Sequence, residues 1–200
     1  MSAAPRRLLL LGGTQFIGRA AVEALLLTGE YELTLFNRAR TPHPFGGRVC
    51  QICGDRQDCR AVWAALTSQP AWHAVIDFIA FEPEDVEPII AHRATIGLYI
   101  VISTDSVYMA CSPKGFVRDG VSQGLLEDSA AMYDATRARK DRYGEGKLLL
   151  ERELEATTDL DWIALRLPDV LGPHENTGMH KQAILLNCPS LARATLRCPM

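Results

Sequence analysis

The chain is 200 residues long, the size of one ordinary domain, and enough to bury roughly 70% of the surface its unfolded form would expose. Hydrophobic residues make up 48% and charged residues 22%, with a net charge of −3. That balance excludes disordered, collagen-like and fibrous classes, offers no broad cationic surface for nucleic acid or anionic membrane, and contains no apolar run near the ~18 residues of a membrane span. Taken in chain order, residues 7–11 are a short apolar run closed by Gly12-Gly13, too short for a helix and well short of the apolar core of a signal peptide. They predict a buried strand at the start of a cytoplasmic chain. Residues 16–28 carry Ile17, Ala20, Ala21, Ala24, Leu25 and Leu27 at helical spacing and stop at Gly29. Strands are predicted over 31–36, 49–53, 74–80, 98–103 and 162–167, with helices over 58–67, 83–94 and most of 130–156. Residues 112–129 are polar and contain glycine, and read as a long loop.

Near-continuously apolar strands alternating with helices predict an α/β fold, a doubly wound parallel sheet with helices on both faces. Ligands of such sheets bind beyond the carboxyl ends of the strands, so the informative loops follow each strand. The first is Gly12-Gly13-Thr14-Gln15-Phe16-Ile17-Gly18, where a chain that must turn sharply and present helix N–H groups to a diphosphate needs glycine. After the second strand stand Asn37 and Arg38, with no carboxylate to hold a ribose hydroxyl pair. Arg38 suits a 2′-phosphate, which favours NADP over NAD, or is a solvated surface arginine. After the third strand come Gly54, Asp55 and Arg56. Asp55 could accept from an adenine amino group or cap the following turn.

Tyr143 and Lys147 are four apart and share a helix face. An ammonium beside a phenol favours the phenolate and lowers a pKa that starts near about 10, which suits acid/base chemistry near neutral pH. Ser103 and Thr104 end the fifth strand at the same sheet edge. A hydroxyl, a phenol and an ammonium converging beside a nicotinamide are what hydride transfer at a carbinol needs.

Four stretches together resemble the extended short-chain dehydrogenases/reductases of the NAD-dependent epimerase/dehydratase family: Gly-Gly-Thr-Gln-Phe-Ile-Gly (12–18), Ile-Ser-Thr-Asp-Ser-Val-Tyr (102–108), Tyr-Gly-Glu-Gly-Lys (143–147) with Glu151 one turn on, and Leu-Arg-Leu-Pro-Asp-Val-Leu-Gly-Pro (165–173). The resemblance implies a Rossmann fold over 1–173 and an NAD(P)-dependent epimerase or reductase acting on a hydroxyl or carbonyl, a nucleotide sugar being one candidate substrate. It makes Tyr143 the general acid/base, Lys147 the ligand of the nicotinamide ribose, and Thr104 the hydroxyl on the reacting oxygen. It sets Gly12 and Gly18 beside the diphosphate and Asp55 toward the adenine.

Three departures qualify this. Gln15 stands where the family's middle glycine would be, and Ser106 where sugar-nucleotide dehydratases carry a glutamate, which argues against 4,6-dehydration. The segment 174–200 resembles nothing in the family, so a dinucleotide-binding module without catalysis, a sensor or partner subunit, is the alternative. The Gly-Gly-Thr and Asn-Arg elements with a bulky residue 15 also resemble relatives of the plant chloroplast stem-loop RNA-binding protein. The run Arg137, Arg139, Lys140 and Arg142 adds to that, yet Asp134 and Asp141 interrupt it as on a solvated helix face. Leu148 to Leu150 suggest a two-fold partner. Of six cysteines, Cys50 and Cys53 form a C-x-x-C without a second pair and read as small hydrophobes on a strand, and no metal site is expected.

Overall fold

Four consecutive leucines dictate the centre of the molecule. In the computed structural model, which describes residues 6–110 and 142–175, Leu8 to Leu11 are all buried on β1 (Arg6–Leu11). A strand apolar on both sides is stable only when helices cover both faces of its sheet, at roughly 1.5–3 kcal/mol per buried leucine side chain. Here β1 pairs in parallel with β2 (Tyr31–Asn37) on one side and β4 (Ala74–Asp77) on the other. With β3 (Cys50–Cys53), β5 (Tyr99–Thr104) and β6 (Trp162–Leu167) the sheet has six parallel strands in the order β3-β2-β1-β4-β5-β6. The direction of winding reverses between β1 and β4, so the carboxyl ends of these two strands open a crevice. This is a Rossmann-like α/β fold.

Alternation along the strands sorts the core into two layers. Leu8, Leu10, Leu33 and Leu35 face α1 (Phe16–Thr28), where Val22 meets them. Leu9, Leu11, Val75, Tyr99 and Val101 face the other way. There they pack against Val62, Ala65 and Leu66 of α2 (Cys59–Leu66), Ile89 of α3 (Glu87–Ala91), and Leu150 and Leu154 of α4 (Arg142–Glu155). Among the described residues no helix is long and apolar enough to cross a membrane.

Several expectations change in detail. The strand expected over 74–80 ends at Asp77, because the Ile79 N–H turns back to donate to the Asp77 carboxylate at 2.9 Å. The helix expected over 83–94 is broken into a 3-10 turn (Pro83–Asp85), α3 and a second 3-10 turn (Arg93–Thr95). Pro88 has no N–H to give to a carbonyl one turn back, so one continuous helix cannot form there. The cysteines of β3 are not core hydrophobes: β3 is an edge strand, and Cys50 and Cys53 are both exposed. Of the three leucines that suggested a two-fold partner, Leu148 and Leu150 are wholly buried in the chain's own core, and Leu149 is half-buried. The loop expected over 112–129, the basic residues 137–140, and nearly all of the segment 174–200 lie outside the described residues.

Candidate functional site

The turn after β1 is built around backbone that side chains resist. Gly12 and Gly13 have φ of +101° and +85°, a region open to glycine and costly for other residues. A Cβ on Gly18 would stand 2.9 Å from Gly13 Cα, so only glycine lets α1 lie this close to the turn. Phe16, the first residue of α1, has φ of +40°, a strained value for a bulky side chain. The N-cap residue Gln15 makes no side-chain cap; its amide donates instead to Thr41 Oγ1 at 2.8 Å, across the mouth of the crevice. No acidic residue sits in the first turn of α1 to neutralise its N-terminal dipole, which leaves this end suited to an anion.

The crevice is a cleft of about 1020 Å³. It brings together Gly12, Gly13, Thr14, Gln15, Phe16, Ile17 and Gly18 with Asn37, Arg38, Asp55 and Arg56, all of which line it. Asn37 Oδ1 accepts from the Ala39 N–H and from Gln51 Nε2, each at 2.8 Å. Its Nδ2 is buried with no hydrogen-bond partner, which costs free energy unless a ligand supplies an acceptor. The half-exposed Arg38 guanidinium lies 3.9 Å from Asp55. Asp55 also accepts from the Gln57 N–H at 3.1 Å, the turn-capping role, while its contact to Arg38 keeps it at the cleft wall.

Arg56 is held differently. Its Nη1 donates to Asp77 at 2.6 Å, its Nε to Asp85 at 3.2 Å and its Nη2 to the Asp85 carbonyl. Burial opposes its charge, but Asp77, Tyr99 and Asp85 outweigh this and raise its pKa further above the ordinary arginine value. Tyr99, fully buried, donates to Asp77 at 3.0 Å; burial and that carboxylate both push its phenol up. Asp77 was passed over in the sequence, although a carboxylate inside an apolar strand is the signature of a buried charge that needs a cation.

Thr104, Tyr143 and Lys147 do not line the cleft; Phe81 and Ile102 join them to it. Lys147 is 2% exposed, and its Nζ donates to the carbonyls of Ala80 (2.5 Å) and Ile102 (2.6 Å). The ammonium lies 4.7 Å from the centre of the Phe81 ring and 5.9 Å from that of Tyr143. Burial lowers the Lys147 pKa to about 8, against the pull of Asp77 and Asp85. Tyr143, on the same face of α4, is about half exposed. Thr104 Oγ1 accepts from the Ser106 N–H at 3.1 Å, which fixes the hydroxyl at the end of β5. Phe81, Ala80 and the loop after β4 were missed in the sequence because they carry no motif of their own.

Behind these residues Glu151, one turn after Lys147, is buried and accepts from Ser103 Oγ at 2.5 Å and from Arg166 Nη2 at 2.5 Å. Arg166 Nη1 reaches Tyr108 Oη at 3.1 Å. Burial opposes the Arg166 charge, and its bonds to Glu151 and Tyr108 more than restore it. Among the described residues no group of three or more potential metal ligands occurs.

Chloroplast stem-loop binding protein of 41 kDa b from Arabidopsis thaliana is 28% identical over 185 residues, covering 86% of this chain and 44% of that protein. The chain thus spans less than half the length of this curated relative. The Bordetella bronchiseptica enzyme WbmG, solved with NAD, shares the fold at a TM-score of 0.67 and 18% identity, covering 98% of this chain and 62% of that one. WbmG has also been solved with NAD and UDP. A short-chain dehydrogenase/reductase from Veillonella parvula in complex with NADP gives a TM-score of 0.59 at 19% identity, covering 86% of this chain and 73% of that one. The family model described as the NAD dependent epimerase/dehydratase family matches residues 8–189, nearly the whole chain and beyond residue 173, where the resemblance was expected to end, and it is to this family that the chain belongs.

Proposed function

We propose that the chain binds NAD(P), with NADP favoured, and acts as an epimerase or reductase on a hydroxyl or carbonyl, a nucleotide sugar being the leading substrate class. The observation that carries this reading is a cleft that starts at a glycine turn at the N-terminus of α1 and is walled by Phe81 and Ile102, behind which a buried lysine is held beside a tyrosine. The residues fit the dinucleotide: positive-φ glycines and an uncapped helix end suit its diphosphate, and the orphaned Asn37 Nδ2 and exposed Arg38 suit its adenosine half. When bound, the dinucleotide supplies the hydride chemistry.

The chain's own residues handle the proton. Thr104 Oγ1 and Tyr143 Oη hold the reacting oxygen. Tyr143 Oη takes the proton as the substrate hydroxyl becomes a carbonyl and returns it in the reverse step. The Lys147 ammonium stabilises the phenolate that must be present before the proton is taken and again once it is returned, and with a pKa of about 8 it is mostly charged at neutral pH.

The test is turnover of nucleotide sugars with added NAD(P), followed by proton NMR of the sugar. Tyr143→Phe should lose about 10²- to 10⁴-fold in rate while keeping its dinucleotide affinity. Equal rates in the variant and the parent would sink the catalytic role. A second reading, a dinucleotide-binding module without turnover, draws support from Thr104, Tyr143 and Lys147 standing outside the cleft lining. Tight dinucleotide binding with no turnover of any sugar would favour it.

A further inference from the structure

The two loops that flank the cleft, one after β3 and one after β4, are bound together by a single side chain. Arg56 belongs to the first, directly after Asp55 at the cleft wall. Its three guanidinium nitrogens are all engaged, with the Asp77 carboxylate at the end of β4, the Asp85 carboxylate and the Asp85 carbonyl. Those two carboxylates in turn hold the backbone of the second loop. Asp77 accepts from the Ile79 N–H at 2.9 Å, and Asp85 Oδ2 accepts from the N–H groups of Phe81 (2.6 Å) and Glu82 (3.1 Å).

This loop is what Lys147 rests on. Ala80 lends its carbonyl to Nζ, and the Phe81 ring stands against it. The fit is tight: a Cβ on Gly146 of α4 would lie 2.7 Å from the Phe81 carbonyl, so movement of the loop is passed on to the helix that carries Tyr143 and Lys147. Without Arg56 the Asp77 and Asp85 carboxylates, the first of them wholly buried, would lose the cation they share, and the loop would rearrange.

We propose that Arg56 is a positioning residue that ties the loop after β3 to the loop after β4, and so sets where Lys147 holds its ammonium. Its meaning for catalysis rests on the dinucleotide reading above; its geometry does not. Arg56 thereby links the arginine-lined wall of the cleft to the neighbouring helix that carries Tyr143.

The chain contains only four lysines, so biosynthetic 13C labelling of lysine resolves Lys147 by NMR in the full chain without ligand. In the parent its Cε signal should titrate with a midpoint of about 8. The charged groups that act on it are Asp77 of β4, Asp85 and Arg56 of the cleft loops and Glu151 of α4, with Tyr143 on the same helix face. Arg56→Lys keeps the charge and loses the three-way fork. One ammonium cannot hold Asp77 and Asp85 together, so the Lys147 midpoint should rise, and the Phe81 and Glu82 amides should exchange at least about tenfold faster while those of β1 do not change. A folded Arg56→Lys protein with the parent's midpoint and the parent's Phe81 and Glu82 exchange would overturn the proposal.

Should that variant fail to fold, Asp85→Asn gives an independent reading. Removing that carboxylate lowers the Lys147 midpoint, opposite to the rise toward about 10.4 that unfolding brings, and also speeds the two amides. An unmoved midpoint and unmoved amides there would equally overturn it. A parent chain that binds no dinucleotide would end the functional reading and leave both measurements intact.

Discussion

Lys147 shows how one side chain can be costly and useful together. An ammonium with 2% of its surface exposed is stable only because two carbonyls and two aromatic rings take the place of water, and burial still lowers its pKa from 10.5 to about 8. The sign of the linkage follows. Between about 8 and 10.5 the unfolded chain binds more protons than the folded one, so this group's contribution to stability increases as pH rises through that window. Below pH 8 it opposes folding by about 3 kcal/mol. Lys147→Met abolishes this dependence and leaves a constant loss from the two bereft carbonyls. The difference in unfolding free energy between parent and variant, from urea melts, should therefore move in the parent's favour between pH 7.5 and 10.5; a flat difference would show that Lys147 keeps an ordinary pKa. The pairing of Tyr143 with Lys147 was legible from spacing alone, since four residues make one helical turn. The commitment of Arg56 was not, because Asp77 and Asp85 lie 21 and 29 residues further along.

At the scale of elements, the catalytic candidates are fixed by a brace joining three of them. Glu151 of α4, Ser103 of β5 and Arg166 of β6 meet in a buried cluster, and Arg166 also holds Tyr108 in the 3-10 turn (Asp105–Ala110) that follows Thr104. Removing one member leaves a buried charge without its partner. Arg166→Met should cost about 3–5 kcal/mol in urea unfolding, and the double variant with Glu151→Leu should recover most of it. A single variant as stable as the parent would mean the pair contributes nothing. The elements themselves were largely legible from apolar periodicity: α1 and β6 have the bounds that spacing predicts. The misses were local: a buried carboxylate that ends β4 early, a proline that divides one expected helix, and an edge strand whose cysteines face solvent. Each depends on tertiary surroundings that a periodic pattern does not carry.

For the whole molecule, the parallel order β3-β2-β1-β4-β5-β6 puts every strand's carboxyl end along one edge, with the glycine turn beside the switch between β1 and β4. This is why residues from 12 to 147 meet in one region although the sequence scatters them. The turn at Gly12 to Gly18 and the Asn37-Arg38 pair were readable because each follows a strand directly. The orphaned Asn37 amide and the Gln15–Thr41 bridge needed coordinates, since both depend on the shape of the loop between Ala39 and Thr41. The most direct measurement is calorimetric titration of the chain with NADPH, NADH, NADP and NAD, repeated for the tightest ligand and its partner lacking the 2′-phosphate with Arg38→Ala. Micromolar binding that favours the phosphorylated form, with the preference falling at least about tenfold in the variant, is the predicted result. No binding of any of the four would contradict the dinucleotide site itself, and with it the function built on this cleft.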